Sequence, residues 1–158
     1  MTLTVGDAHR HADRILELLK SGFHDHANEA VAQSWSRCLN EYRLHPAQPH
    51  DPVFVARADL EDRRARRADV IACARYEMTT LYQQLADVDS AVVLTDTDGV
   101  IVHMVASPEF AAAAGPLGLR VGGRWSEADA GTNGMGTCLA AAGPVSVRRE
   151  DHFYSQFA

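Results

Sequence analysis

Apolar positions along the first half of the chain recur at helical spacing. In "DAHRHADRILELLKSG", Ile15, Leu16, Leu18 and Leu19 gather into one amphipathic turn and a half, and Ser21-Gly22 offers a C-terminal cap. In "HANEAVAQSWSRCLNEYRL", Val31, Trp35, Leu39 and Tyr42 fall 4, 4 and 3 apart, which is one face of a helix. Three prolines between Pro46 and Pro52 then impose an extended connection. A long helix is expected from about Ala58 to Asp89. Its second half repeats Ile71, Ala74, Met78, Leu81, Leu85 and Val88 at 3, 4, 3, 4, 3, an a/d seam of two and a half heptads. Such a seam packs on a following sheet, pairs with a second chain, or does both in part.

The period then changes. Ala91–Thr95 and Val100–Val105 are β-branched apolar runs around Asp96-Thr97-Asp98-Gly99, a strong hairpin signal. "SPEFAAAAGPLGL" predicts a short helix capped by Ser107 with Pro108 at its first position, ended by Gly115-Pro116. "GTCLAAAGP" predicts another, closed by Gly143-Pro144, and "VSV" at 145–147 reads as a short strand. Helices, hairpin, helix, loop, helix and strand in that order indicate an α+β fold with an antiparallel sheet. The division expected is a helical region with a Pro-rich linker (1–57), a connecting helix (58–89) and a sensor-like domain (90–158).

Composition narrows the function classes. The 158 residues are 46% hydrophobic and 23% charged, enough to bury a core. The net charge of −6, with fourteen Arg and one Lys, disfavours nucleic-acid binding by this chain. From Arg57 to Arg75, six Arg interleave with Asp59, Glu61, Asp62 and Asp69, the pattern of an ion-paired solvated face. Cys38, Cys73 and Cys138 are odd in number and contain no CxxC, so neither a disulfide framework nor a Cys-based zinc site is expected, and the reading is a reduced, cytoplasmic protein. No apolar run approaches a membrane span, and no signal peptide opens the chain.

The stretch "GGRWSEADAGTNGMGTCLA", Gly122 to Ala140, invites a phosphate-loop reading. It lacks the strand that a dinucleotide fingerprint follows and the Lys of a Walker loop. Thr132 or Asn133 instead suits a helix cap. Cys138 follows that cap, where a thiol can be activated, although a small buried hydrophobe is the commoner role. The pairs His9/His11 and His24/His26 offer two imidazoles each but no further ligands, so no metal is expected. Glu127 and Asp129, beside Trp125, suit either a polar ligand or a capping role. No catalytic residue is assigned.

Taken together, "SWSRCLNEYRLHPAQP", the Leu60–Arg67 helix, "VVLTDTDGVIV" and above all "WSEADAGTNGMGTCLA" resemble the N-terminal sensor region of bacterial enhancer-binding activators of the acetoin-catabolism-regulator type. Trp125, Ser126, Glu127, Gly131, Thr132, Asn133, Gly134, Gly136 and Thr137 all fit the string W-S-E-x-x-x-G-T-N-G-x-G-T. The resemblance implies helices leading into a GAF domain. In this chain the GAF-like sheet and flanking helices would be incomplete, with the C-terminal strands missing. It also implies a small organic effector (a ketone, alcohol, diol or aromatic) and control of an AAA+ ATPase and helix-turn-helix domains absent from this chain. No cofactor is implied. Side-chain character nominates Trp125, Thr132, Asn133, Met135, Cys138, His152, Phe153 and Tyr154 as the effector's lining. The alternative is a dimerisation or protein-interaction module without a ligand, in which helices 28–43 and 58–88, the latter carrying the 71–88 seam, form a homodimer and the GAF-like part is only a platform. A methionine-sulfoxide reductase of the GAF type would need clustered cysteines, and the GAF-like half holds only Cys138.

Overall fold

The computed structural model describes residues 5–21, 28–48, 51–85 and 89–157. Gly22, His24, His26 and Val88 lie outside the described residues. The fold is α+β, and its residues divide into two compact units that do not follow chain order: 1–51 with 125–158, and 52–124. The 90–158 segment expected as one domain is therefore split at residue 124.

The first unit is helical. α1 (Val5–Lys20) buries Ala12 and Ile15, and Leu18 and Leu19 pack beside them. α2 (Glu29–Asn40) begins at Asn28, whose carboxamide oxygen accepts the Val31 amide at 3.4 Å. Val31 and Trp35 of the predicted face are fully buried, and Cys38 joins them. Tyr42, beyond the helix end, is exposed. Phe153 and Tyr154 complete this core. α6 (Glu127–Ala130) and α7 (Gly134–Ala141) follow the motif that begins at Trp125. No strand forms at 145–147; the Ser146 carbonyl accepts the Asn28 side chain at 2.7 Å, and Val147 packs on the core.

The second unit carries the hairpin. β1 (Ala91–Thr95) and β2 (Ile101–Ala106) are antiparallel, paired from Ala91↔Ala106 to Leu94↔His103, with a bulge before Thr95↔Ile101. Asp96 builds the turn: its Oδ1 accepts the Asp98 and Val100 amides at 2.9 and 3.0 Å. Arg63 donates to the Asp96 and Asp98 carboxylates at 2.6 and 2.8 Å, so the Arg-rich helix is tied to that turn. Burial pushes Asp96 up, but the Arg63 and backbone hydrogen bonds outweigh it and hold the carboxyl below its ordinary value. The single helix expected over 58–89 is two helices, α3 (Arg57–Arg66) and α4 (Ala68–Gln84). Arg67 breaks the run at φ −112° and ψ 14°. Of the seam, Ile71 and Met78 are buried and Ala74 half-buried, while Leu81 and Leu85 are exposed. α5 (Pro108–Ala114) is capped by Ser107, whose Oγ accepts the Phe110 amide at 3.0 Å, as its sequence predicts. Among the described residues, no helix is long and apolar enough to cross a membrane.

Candidate functional site

The motif from Trp125 to Thr137 is held together by its own polar atoms. Ser126 caps α6 by accepting the Asp129 amide at 3.2 Å. Asn133 caps α7: its Oδ1 accepts the Met135 and Gly136 amides at 3.0 and 2.8 Å. The same side chain donates from Nδ2 to the Trp125 and Gly131 carbonyls at 3.0 and 2.8 Å. One buried amide thus starts a helix and closes the loop that leads into it, and all four of its hydrogen-bonding positions are filled.

Two glycines in the motif admit no side chain. Gly131 sits at φ +65° and ψ −164°, a region that only glycine occupies readily, and a Cβ there would lie 2.6 Å from the Phe153 Cβ. A Cβ at Gly136 would lie 2.7 Å from the Glu127 amide nitrogen. The small residues serve close backbone approach within the unit.

α2 supplies the other half of the site. Ser34, Arg37 and Cys38 lie at i, i+3 and i+4, on one helical face. The Ser34 hydroxyl shares hydrogen bonds with Thr132 at 2.7 Å and Thr137 at 3.1 Å, and the Cys38 sulfur lies 3.7 Å from Thr132 Oγ1. Arg37 grips Glu127 with two bonds, from Nε at 2.7 Å and from Nη2 at 2.8 Å. The Glu127 side chain is only 1% exposed, and that of Arg37 is 21% exposed. Burial alone would raise the Glu127 pKa. The Arg37 hydrogen bond and charge, with hydroxyl donors, prevail and hold it below the ordinary carboxylate value. Burial pushes the Cys38 thiol up to about 11, which leaves it a poor nucleophile.

The 148–154 segment closes the other side of the core. Trp35 donates from Nε1 to the Asp151 carbonyl at 2.8 Å, and Asp151 accepts the Arg148 amide at 3.0 Å. His11 donates through Nε2 to the His152 carbonyl at 2.8 Å, which places one of the paired histidines on a backbone oxygen. Burial lowers the His152 pKa, against the opposing pull of the Arg149 and Arg148 carbonyls.

All eight sequence-nominated residues lie in this first unit. Thr132, Asn133 and Phe153 are at most 1% exposed, and Trp125 and Tyr154 are also buried. Met135, Cys138 and His152 are half-buried. The Trp125 ring packs on Phe157 at 5.0 Å, and Phe153 meets Tyr154 edge-on at 5.2 Å. Ser34, Arg37 and Asp151 join the site with no sequence motif that names them, and the fold gives Glu127 its partner Arg37. The available signal was Ser34 and Arg37 flanking the buried face that Trp35 marks. Chemically the arrangement is a buried network in which hydroxyls, amide and ion pair satisfy one another. Among the described residues, no group of three His, Cys, Asp or Glu side chains could hold a metal ion.

Residues 4–158 match the sequence profile of the MimR N-terminal domain. The acetoin catabolism regulatory protein of Cupriavidus necator is 35% identical over 128 residues, covering 80% of this chain and 19% of that protein. The acetoin dehydrogenase operon transcriptional activator AcoR of Bacillus subtilis is 24% identical over 85% of this chain and 22% of its own length. The propane 2-monooxygenase operon transcriptional activator MimR of Mycolicibacterium smegmatis is 29% identical over 82% and 21%. The chain thus spans about a fifth of the length of these relatives. Among solved structures, the E. coli DhaR(N)–DhaL complex contains a chain of similar fold, with a TM-score of 0.74 at 16% identity, over 80% of this chain and 43% of that one.

Proposed function

The chain belongs to the MimR N-terminal domain family, and on that premise we propose that it is the signal-receiving region of a bacterial transcription activator. It binds a small organic effector (a ketone, alcohol, diol or aromatic) and controls AAA+ and DNA-binding modules that lie outside this chain, in the cytoplasm. Relatives named as a regulatory protein of acetoin catabolism and as transcriptional activators of the acetoin dehydrogenase and propane 2-monooxygenase operons support that reading.

The observation that carries it is the coupling of the family's most specific string to α2. The Arg37–Glu127 pair and the Ser34–Thr132–Thr137 hydroxyls join positions 90 to 103 residues apart in the chain. An effector that displaces the motif therefore displaces α2. Met135, Cys138 and His152, half-buried, meet the effector with Trp125 and Tyr154. Thr132, Asn133 and Phe153 hold the shape of the site. No catalytic residue and no cofactor enter this reading.

Thermal melting with acetoin, a short diol and phenol tests it. At ten times Kd a specific effector raises Tm by roughly 3–5 °C. A chain that none of them stabilises at millimolar concentration lacks a competent site for this class.

A second reading, an interaction module, has its own support. Val70, Tyr76, Leu81 and Leu85 are exposed on or next to α4, and the structural neighbour is described in complex with DhaL. Light scattering of the parent against Leu81→Arg addresses the homodimer form of this reading, which a monomeric parent rules out.

A further inference from the structure

The apolar residues of α4 divide into two stripes. At about 100° per residue, Ile71 and Met78 point one way and are covered, as α4 packs against β1 and β2. Val70, Ala74 and Leu81, with Leu85 at the C-terminal cap, fall within about 60° of one another on the shoulder of that face. Val70, Leu81 and Leu85 are exposed, and Ala74 is half-buried. Tyr76, also exposed, lies on the far side of the helix from this stripe.

The exposed stripe is complementary to itself. Val70 and Leu85 lie equally far from a point between Glu77 and Met78, and so do Ala74 and Leu81. A two-fold axis through that point sets Val70 against the partner's Leu85 and Ala74 against the partner's Leu81. A smaller side chain then faces a larger one at each level, as an isologous interface requires of a single patch. A parallel pair would instead crowd leucine on leucine and leave Ala74 facing Ala74 across a gap.

Charge points the same way. Arg66 and Arg67 make no ion pair among the described residues. They stand at the positive, N-terminal end of α4, where cations are disfavoured and Asp69 is the acid of the first turn. The last turn of α4 has no basic residue, and no Lys or Arg occurs from Tyr76 to Leu119. An antiparallel partner brings its arginines to that negative end, and the symmetry does so twice. One contact opposes the pairing. Glu77 flanks the stripe at its midpoint, so the axis sets both Glu77 carboxylates on one side of the seam.

We propose that a second copy of this chain docks on this stripe, with the two α4 helices antiparallel about a two-fold axis between Glu77 and Met78. The inference deepens the interaction reading above and rests on its homodimer form. One pair of 17-residue helices makes an interface below about 1,200 Å², so the dimer is reversible.

Disulfide trapping in the full chain tests the arrangement, in a Cys73→Ser, Cys138→Ser background that leaves only buried Cys38. Under diamide, Val70→Cys combined with Leu85→Cys should give a covalent dimer, and either substitution alone should not. The two positions lie roughly 22 Å apart along one helix, too far for a bond within the chain. Sedimentation equilibrium over a concentration series supplies the affinities. Leu81→Arg should abolish association, and Tyr76→Arg should leave it within about twofold. Arg66→Glu with Arg67→Glu should weaken it roughly tenfold at low salt. Glu77→Gln should tighten it about two- to fivefold. Circular-dichroism melts verify that each variant folds. A parent that stays monomeric throughout removes the homodimer reading and this inference together. A dimer that survives Leu81→Arg, is lost equally in Tyr76→Arg, ignores the Arg66 and Arg67 reversals, gains nothing from Glu77→Gln, or cross-links through the single cysteines keeps that reading and overturns the antiparallel pairing. So does a dimer that the double-cysteine variant fails to trap.

Discussion

Glu127 concentrates the energetics of the first unit in one side chain. Its carboxylate is almost fully enclosed and receives both Arg37 donors. Removing one partner of such a pair strands the other, so Glu127→Gln should destabilise the chain by about 2–4 kcal/mol, the lower part of the range reflecting water's access to Arg37. The pH dependence has a definite sign. The folded pKa of Glu127 lies below its usual value of 4.5, so the pair's contribution is complete above that value. It is lost as pH falls through the lower folded pKa. Thermal melts of parent and variant from neutral pH downward should show their Tm gap narrowing only below about pH 4.5. A gap of equal size at pH 7 and in strong acid contradicts this account. The pairing itself was hidden from the sequence, because nothing local links Arg37 to a carboxylate 90 positions away. What could be read was that Glu127 sits beside Trp125 in a capping context, and that context is real: α6 begins at Glu127 behind the Ser126 cap.

Among the elements, α7 depends most on a single residue. It has only eight residues, and Asn133 both caps it and holds the Trp125 and Gly131 carbonyls. Asn133→Ala removes a cap and leaves buried carbonyls without donors, so the expected loss is roughly 2–4 kcal/mol, from about 1 for the cap and 1–3 for the unsatisfied groups. Urea unfolding gives the number, and a loss as small as that of an exposed cap shows that the loop closes without Nδ2. This cap was legible because Thr-Asn before Gly-rich helical residues has a local mechanism. The hairpin was legible for the same reason, through Asp96 and Gly99 between β-branched runs. The break at Arg67 was not, since "RRARRAD" contains neither Gly nor Pro to announce it. The burial of the seam was only half legible. α4 runs 17 residues, roughly 25 Å, whereas strands of five and six residues extend less than roughly 20 Å. Ile71 and Met78 are therefore covered, while Leu81 at 47% exposure is not.

At the scale of the whole molecule, the core of the first unit is built from both ends of the sequence. Ile15, Val31, Trp35 and Cys38 come from α1 and α2, and Phe153 and Tyr154 from the last described segment. Periodicity read along the chain finds each helix face, yet it cannot show that residues 125–158 belong with residues 1–51. A direct consequence concerns truncation. A chain beginning at Pro52 keeps β1, β2 and α3 to α5 but loses four buried side chains from the other unit's core. At roughly 1.5–3 kcal/mol for each of the larger ones, the lost burial approaches the whole stability expected of a small domain, about 5–15 kcal/mol. The truncated chain also removes Ser34 and Arg37, stranding Glu127 and the motif hydroxyls. Hydrogen exchange should then show the amides of 125–157 exchanging like an open peptide, while those of the 91–106 hairpin keep their protection. Slow exchange persisting in α7 without α2 would mean that the motif folds on its own, and the coupling of α2 to the motif would lose its structural basis.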